Sequence, residues 1–136
     1  MTPSGILETI IYAEDLAAAQ AFYRDVLELE PVSTAPGRHL FYRVGNQMLL
    51  VFNPEATSKS SASAELPVPT HGSRGPGHVC FRSTASELDD WRRLLEDKGV
   101  PIEADFEWPN GGRSIYFRDP AGNSLELAEP RIWGLA

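Results

Sequence analysis

Residues 115–127 read IYFRDPAGNSLEL, which describes an apolar strand, a turn and a second apolar strand. The Gly-Asn pair between the two apolar segments is typical of a turn, because both residues tolerate the backbone angles that tight turns require. On either side of the turn, large apolar residues alternate loosely with polar ones, as expected for strands with one buried face. This stretch therefore predicts two adjacent strands near the end of the chain.

The same order of elements occurs earlier in the chain, so the sequence contains an internal repeat. Residues 40–43 (LFYR) correspond to residues 115–118 (IYFR), and each segment leads to a Gly-Asn pair and another apolar strand. Aligning the two Gly-Asn pairs places Leu49 opposite Glu126. Each copy also begins with a short apolar segment that continues into helical spacing. We therefore expect two copies of a strand, a helix and a run of strands.

The two helices carry the clearest local signals. Asp15 precedes the first helix as an N-cap, and Thr84 and Glu87 have the spacing of a capping box before the second. Gly99 is placed to end the second helix. The apolar positions recur every three or four residues, at Leu16, Ala19, Phe22, Tyr23, Val26 and Leu27, and at Leu88, Trp91, Leu94 and Leu95.

The chain is expected to form one domain over residues 1–136, built from two modules. Module one covers about residues 5–53 and module two about residues 77–129, with a tail at residues 130–136. Residues 54–76 between them are rich in Ser, Ala, Pro and Gly, which is linker composition. A connection of this length inside one domain is usually functional, so we expect it to cross between the modules and to cover a site.

Composition excludes several classes of function. With 136 residues, 42% hydrophobic content and a formal net charge of −7, the chain is typical of a small acidic globular protein. The negative charge argues against binding to nucleic acid or to an anionic membrane. One cysteine, Cys80, excludes an internal disulfide and a cysteine-rich zinc site. No secretory signal is evident, and we expect a cytoplasmic protein.

Three ionisable side chains fall on the same predicted face of the strands. Successive side chains in a strand point to opposite faces, so if the apolar neighbours pack on the helices, His78 and Glu126 point to the other face. Glu8 lies 70 residues before His78, at the matching place in the first copy. Two carboxylates and one imidazole suit Mn²⁺, Fe²⁺, Ni²⁺ or Zn²⁺ and leave coordination positions for water or substrate.

Purely structural roles are the alternative for these three residues. Glu8 and Arg82 carry opposite charges and can form an ion pair. Glu126 can be solvated near a sheet end, and a histidine on a strand is often a hydrogen-bonded structural residue. The matched positions of Glu8 and His78 in the repeat favour the metal site, because a charge inside a strand is costly unless it is paired or bound to a metal.

Several longer motifs resemble those of a known superfamily. Residues 12–16 (YAEDL) lead to residues 21–27 (AFYRDVL), residues 77–81 read GHVCF, and residues 117–127 read FRDPAGNSLEL. Over nearly its whole length the chain resembles the vicinal oxygen chelate superfamily. That superfamily includes glyoxalase I, extradiol dioxygenases, methylmalonyl-CoA epimerase, fosfomycin-resistance proteins and bleomycin-binding proteins.

The resemblance implies an α+β fold with one divalent metal per site. Paired βαβββ modules would form an open, cup-shaped mixed sheet with the helices on the outside. The ligand positions it implies are Glu8, Leu49, His78 and Glu126. Leu49 cannot bind a metal, which leaves Glu8, His78 and Glu126 as a three-ligand site for Fe, Mn, Ni or Zn. Glu8 stands where many members have histidine, and the extra carboxylate shifts the preference toward Mn²⁺ or Fe²⁺.

Other residues near this site are candidates for contacts with a substrate. Arg82, Arg113 and Arg118 are expected to bind anionic groups, Leu49 to contact the substrate, and Tyr116 to offer a catalytic hydroxyl. The alternatives are a solvated arginine in a β-turn for Arg113 and simple packing for Tyr116.

The residues and the superfamily resemblance together suggest two functions of different classes. The first is a divalent-metal-dependent enzyme that acts on a small molecule with vicinal oxygens, as a dioxygenase, lyase, isomerase or transferase. The second is a metal-free binding protein of the bleomycin-resistance type, whose acidity suits a cationic ligand. In either case the superfamily resemblance implies a homodimer, and the partner of the site is a small molecule.

Overall fold

The computed structural model describes residues 1–60 and 65–136 and contains two similar units. The first unit covers Met1–Gly75 and the second covers Pro76–Ala136. Each contains one βαβββ module, which confirms both the internal repeat and the α+β fold. The predicted linker includes residues 61–64, which lie outside the described residues. Within the described ranges, no helix has the length and apolarity that a bilayer crossing requires.

The first unit is a four-stranded sheet with one long helix. Its elements, in chain order, are β1 (Glu8–Tyr12), α1 (Leu16–Leu27), β2 (Ser33–Ala35), β3 (His39–Val44), β4 (Gln47–Phe52) and the short helix α2 (Pro54–Thr57). The strands are ordered β1-β4-β3-β2, with β1 parallel to β4 and the other neighbours antiparallel. The helix α2 occupies the start of the segment whose composition predicted only a linker.

The second unit repeats this arrangement. Its elements are β5 (His78–Arg82), α3 (Ala85–Asp97), β6 (Ala104–Glu107), β7 (Arg113–Arg118), β8 (Ser124–Ala128) and a 3₁₀ helix (Pro130–Trp133). The strands are ordered β5-β8-β7-β6, and β5 runs parallel to β8. As a result, β8 lies between two strands and its backbone is paired along both edges.

The helix boundaries lie close to the positions that the sequence predicts. The Asp15 side chain accepts a hydrogen bond from the backbone N–H of Ala18 at 3.0 Å. At α3 the capping box is complete, since Thr84 and Glu87 each accept a hydrogen bond from the other's backbone N–H. These bonds hold the pKa of Glu87 below its usual value. Beyond α3, Gly99 has a φ of 69° and carries the chain out of the helix.

Each sheet has one face turned to its helix. In the second unit this face includes Ile115, Phe117, Leu125 and Leu127, all 2% exposed or less, and α3 lies against β7. Strand residues directly opposite one another share a face, so His78, Glu126 and Tyr116 belong to the other side of this sheet. The alternation of side chains therefore divides the sheet into an apolar core face and a face that carries ionisable groups.

The register of the first unit corrects the alignment of Leu49 with Glu126. Cys80 of β5 lies opposite Glu126, whereas the matching residue of β1, Ile10, lies opposite Leu50. Leu50 is therefore the counterpart of Glu126. Leu49 is 2% exposed and lies opposite the buried Tyr42, whose ring contacts Tyr23 of α1 at 5.5 Å. A shift of one residue moves a side chain to the opposite face, so the expected substrate contact of Leu49 is not available.

Arg113 joins the helix-facing side of the second sheet to α3. Its Nε and Nη2 donate to the two carboxylate oxygens of Asp105 at 2.7 and 2.8 Å, and its Nη1 donates to Asp89 at 2.6 Å. The Arg113 side chain is 20% exposed and that of Asp105 is 12% exposed. Arg92 also bonds to Asp105. This placement supports neither the predicted anion-binding role of Arg113 nor the solvated turn, because its guanidinium is held by carboxylates within the fold.

We predict that Asp105→Asn lowers the free energy of unfolding at pH 7 by about 1–3 kcal/mol, because it breaks charge-assisted hydrogen bonds that are partly buried. Hydrogen bonds from Arg113, ahead of the other contributions, hold the pKa of Asp105 below its usual value of 3.8. A carboxylate with a lowered folded pKa stabilises the fold fully above the unfolded pKa and loses that effect as the pH falls through the folded pKa. Urea titrations at pH 7 and under acid conditions therefore give a larger difference at pH 7.

Asp90→Asn is the matched control, because Asp90 pairs with Arg93 on α3 where both side chains are about 70% exposed. It is expected to change the stability by less than about 0.5 kcal/mol. Equal effects of the two substitutions would show that the Asp105 network adds nothing beyond an ordinary surface pair.

Candidate metal centre

Glu126 is a carboxylate in the middle of the second sheet. Its side chain is only 7% exposed, and it lies directly opposite Cys80 on β5 and Tyr116 on β7. Because β8 is paired on both edges, the backbone holds this carboxylate in a fixed place relative to both neighbours. A buried carboxylate is costly unless it is hydrogen-bonded, paired with a charge or bound to a metal. The groups that surround it therefore indicate its role.

His78 presents one ring nitrogen to this carboxylate. Its Nδ1 lies 2.9 Å from the backbone carbonyl oxygen of Ser124. A carbonyl only accepts hydrogen bonds, so Nδ1 carries the proton and donates. In the neutral ring, Nε2 then carries a lone pair, and it lies 3.2 Å from Oε2 of Glu126. Two acceptors face each other at this distance, an arrangement that a proton on Nε2 or a cation between the two atoms would stabilise.

The lone pairs of His78 Nε2 and Glu126 Oε2 fit a divalent cation, and these two atoms are called the ligand pair. Histidine ligands usually donate their other ring N–H to a carbonyl or carboxylate, which fixes the tautomer and orients the coordinating nitrogen. His78 has this arrangement through Ser124, and an imidazole nitrogen with a carboxylate oxygen suits Zn, Fe, Mn or Ni. Among the residues that the structure describes, no three His, Cys, Asp or Glu side chains are grouped to hold a metal. The second unit therefore offers two ligands.

The other oxygen of Glu126 is also engaged. Oε1 accepts a hydrogen bond from the Ser114 hydroxyl at 2.6 Å, and Ser114 in turn accepts one from Nε1 of Trp108 at 2.9 Å. Neither Ser114 nor Trp108 was predicted from the sequence to belong to the site. The signal for Ser114 was its position two residues before Tyr116, which places it on the same face. No sequence pattern indicated that the Trp108 side chain reaches back to this strand.

Tyr116 and Cys80 lie beside Glu126 in their protonated forms. Burial, followed by the effect of the Glu126 carboxylate, raises the pKa of Tyr116 to about 12. Desolvation and the same carboxylate raise the pKa of the Cys80 thiol to about 12, although the residue as a whole is exposed. A phenol in this environment donates a hydrogen bond and does not act as a base near neutral pH. The Tyr116 ring also stacks near His78 and Phe106, at 6.3 and 5.9 Å between ring centroids.

The remaining predicted arginines share the sheet face of Glu126 but are hydrogen-bonded to other groups. Arg118 is paired through two hydrogen bonds with Glu103, at 2.6 and 2.9 Å, and also donates to the carbonyl of Gly122. Arg82 lies at the far end of β5 and donates to the backbone oxygen of Ala136. There it lines a cavity of about 320 Å³ together with residues of the α3 N-terminus and the tail. Arg82 is exposed and remains a candidate for contacts with an anion.

Glu8 begins β1 of the first unit and lies opposite Met48. It is exposed and shares a face with Ile10 and Tyr12. The same face carries aromatic rings from neighbouring strands, with Phe41 5.2 Å from Phe52 between centroids. The predicted coordination of a metal by Glu8 together with His78 and Glu126 stays a prediction.

Comparison with known proteins identifies the family. The family model of the Glyoxalase/Bleomycin resistance protein/Dioxygenase superfamily matches residues 5–127. The chain belongs to this superfamily, as its motifs predicted.

Individual relatives are similar over most of the chain. A crystal structure of lactoylglutathione lyase from Agrobacterium tumefaciens is 48% identical, with a TM-score of 0.92, and the match covers 99% of this chain and 100% of that one. The metallothiol transferase FosB of Bacillus licheniformis is 29% identical over 124 residues, which are 90% of this chain and 73% of FosB. A point mutant of the fosfomycin resistance protein FosX of Listeria monocytogenes, crystallised with Mn(II) and 1S,2S-dihydroxypropylphosphonic acid, shares the fold at 20% identity and a TM-score of 0.66, over 93% of this chain and 90% of FosX.

We predict that the neutral His78 ring in the metal-free protein carries its proton on Nδ1, because Ser124 offers only an acceptor. Long-range ¹H–¹⁵N NMR spectra at alkaline pH identify the protonated nitrogen of each of the three histidines. His71 is the internal comparison, because its Nδ1 lies 2.6 Å from the phenol oxygen of Tyr12. The phenol O–H is expected to donate to this nitrogen, so the neutral His71 ring should carry its proton on Nε2. A neutral His78 ring with its proton on Nε2 would contradict this arrangement, because Nε2 would then have no lone pair to bind a metal.

Proposed function

We propose that this protein is a divalent-metal-dependent enzyme acting on a small molecule with vicinal oxygens. The observation that carries the proposal is the pair formed by His78 Nε2 and Glu126 Oε2, two acceptor atoms 3.2 Å apart, with the His78 side chain 49% exposed and the Glu126 side chain 7% exposed. The high similarity to lactoylglutathione lyase from Agrobacterium tumefaciens favours a lyase or isomerase reaction over the transfer reaction named for FosB.

The residues of the second unit have separate roles in this proposal. His78 and Glu126 hold the cation, and together they contribute one negative charge against its two positive charges. A divalent cation supplies Lewis-acid polarisation of two adjacent substrate oxygens when it is bound. Tyr116, with its pKa raised to about 12, donates a hydrogen bond to a substrate oxygen and does not take up a proton.

Glu8 is the proposed third protein ligand. Its place at the start of β1 matches that of His78 at the start of β5, since each is the first residue of the first strand of its module. With Glu8 present, two carboxylates and one imidazole form an oxygen-rich site, which favours Mn²⁺ or Fe²⁺ over softer ions. We further propose a homodimer with two equivalent sites, in keeping with the frequent use of two-fold symmetry by small proteins.

A metal-free binding protein of the bleomycin-resistance type is the second candidate. The observation that favours it is the apolar character of the first unit, where Leu50 takes the position of Glu126 and aromatic rings cover the adjoining strands. Such a surface suits the sequestration of a hydrophobic or aromatic ligand. The presence of His78 and Glu126 is not explained by this alternative, because sequestration alone requires no metal ligands.

We predict about one Fe, Mn, Ni or Zn per chain in untagged protein purified without chelator, measured by plasma mass spectrometry. His78→Ala and Glu126→Ala are expected to lose this metal because each removes a coordinating atom. His39→Ala is the matched control, since His39 stacks on Phe41 in the first unit and bonds to Ser33. If the wild-type protein contains no metal and takes none up on titration with Mn²⁺, Fe²⁺, Ni²⁺ or Zn²⁺, the metal-free candidate takes its place.

We also predict a dimeric mass in sedimentation equilibrium. In Glu8→Ala the affinity for Mn²⁺ is expected to fall at least about tenfold, because this change removes a ligand. A monomeric mass, or an unchanged affinity, would contradict the homodimer or the role of Glu8 respectively. Mixing the Glu8→Ala and Glu126→Ala chains then locates the third ligand. Restored Mn²⁺ binding means that Glu8 reaches the site of the other chain, and no restoration means that each site lies within one chain.

A further inference from the structure

We propose that Ser114, held by Trp108, is a positioning residue that selects which oxygen of Glu126 is presented to the metal. The inference rests on the proposed metal function and concerns a residue that neither the sequence motifs nor the superfamily resemblance identified. Its basis is a chain of three groups, Trp108 to Ser114 to Glu126, at 2.9 and 2.6 Å.

The direction of each hydrogen bond in this chain follows from the chemistry of the groups. The indole Nε1–H of Trp108 is a donor only, so the Ser114 oxygen accepts from it. A serine hydroxyl has one proton, and the Glu126 carboxylate is an acceptor when it is ionised. The Ser114 hydroxyl therefore donates to Oε1 of Glu126. Because the Ser114 hydroxyl donates its one proton to Glu126 and accepts a hydrogen bond from Trp108, these two bonds fix its orientation.

Burial makes this arrangement difficult to replace. Ser114 is 0% exposed, and on β7 it lies opposite Ala128 on one side and Phe106 on the other. Neither neighbour carries a side-chain polar group that substitutes for its hydroxyl. If the hydroxyl is removed, Oε1 loses a donor at a depth where the penalty for an unmade hydrogen bond is high.

The Trp108 side chain is held by the turn that joins β6 to β7. The backbone N–H of Trp108 donates to Gly112 at 2.8 Å, and the N–H of Gly111 donates back to Trp108 at 2.9 Å. The indole also packs on Phe106, at 4.9 Å between centroids. The position of the Ser114 oxygen is therefore fixed from both its own strand and this turn.

The consequence for the metal is a choice between the two carboxylate oxygens. Because Oε1 is occupied by Ser114, Oε2 is the atom that faces His78 Nε2. Glu126 then binds through Oε2, and Ser114 keeps the carboxylate in this rotation. Without Ser114 the carboxylate loses the donor that holds Oε1 and keeps its hydrogen bonds with Tyr116 and Cys80, so the coordination changes in strength and in geometry.

The test uses Co²⁺ as the probe, with calorimetry for the affinity and visible absorption for the coordination geometry. Ser114→Ala is expected to weaken binding by about 10–100-fold, the usual effect of removing a hydrogen-bond partner of a ligand, and to change the Co²⁺ spectrum. Ser114→Thr restores a hydroxyl and is expected to return the spectrum toward wild type. Trp108→Phe removes only the indole N–H and is expected to shift the spectrum in the same direction as Ser114→Ala, by a smaller amount.

Ser83→Ala is the matched control, because Ser83 is another buried serine of the second unit and bonds to Glu87, away from Glu126. It is expected to leave the affinity and the spectrum unchanged whatever it does to the melting temperature. If Ser114→Ala does not fold, Trp108→Phe decides the question by the same spectrum.

The outcomes separate this inference from the metal function itself. If the wild-type protein binds no Co²⁺ or other divalent metal, both fail together. If it binds Co²⁺ but Ser114→Ala or Trp108→Phe gives a wild-type affinity and spectrum, the positioning role is wrong and the metal site stands. A lower melting temperature of Ser114→Ala with an unchanged Co²⁺ spectrum also overturns the role of the hydroxyl. The same holds if the spectrum of Ser114→Thr is like that of Ser114→Ala.

Discussion

The pairing of β8 on both edges determines the chemistry of the second unit. On one side the parallel strand β5 places His78 beside Ser124 and near Glu126, and on the other side the antiparallel strand β7 places Tyr116 opposite Glu126. Neither relation depends on a flexible loop. A carboxylate that is almost buried requires partners, and the strand ladder supplies them at fixed distances. The polar face is therefore as rigidly defined as the apolar face that packs on α3.

The two units show how one fold carries two different surfaces. Both have the same strand order, and in both the helix covers one side of the sheet. On the other side, the positions of Ile10 and Leu50 in the first unit correspond to Cys80 and Glu126 in the second. The same backbone positions therefore present an apolar surface in the first unit and ionisable groups in the second.

The sequence was sufficient to predict the features that depend on local patterns. Both helix caps follow from spacing along one segment, the repeat follows from comparing two segments, and the shared face of His78 and Glu126 follows from the alternation of side chains along each strand. The alignment of Leu49 with Glu126 was wrong by one residue, because the turn before β4 has two residues (45–46) and the turn before β8 has five (119–123), so the two Gly-Asn pairs are not equivalent. A single-residue offset reverses the face. Composition also gave no sign of the helix α2. For Arg113, the carboxylates that hold it lie 8 and 24 residues away in sequence, and only the folded chain brings them together.

The turn that carries Trp108 also contacts the tail of the second unit. A Cβ atom added at Gly112 would lie 2.4 Å from Cγ2 of Ile132 and 3.2 Å from its backbone nitrogen, so position 112 has no space for a side chain. Gly111 has the same φ of 95° but faces only the end of a long side chain, that of Arg131. The turn and the tail are thus coupled: a side chain at position 112 requires both that the segment after β8 move away and that the backbone leave its φ of 95°.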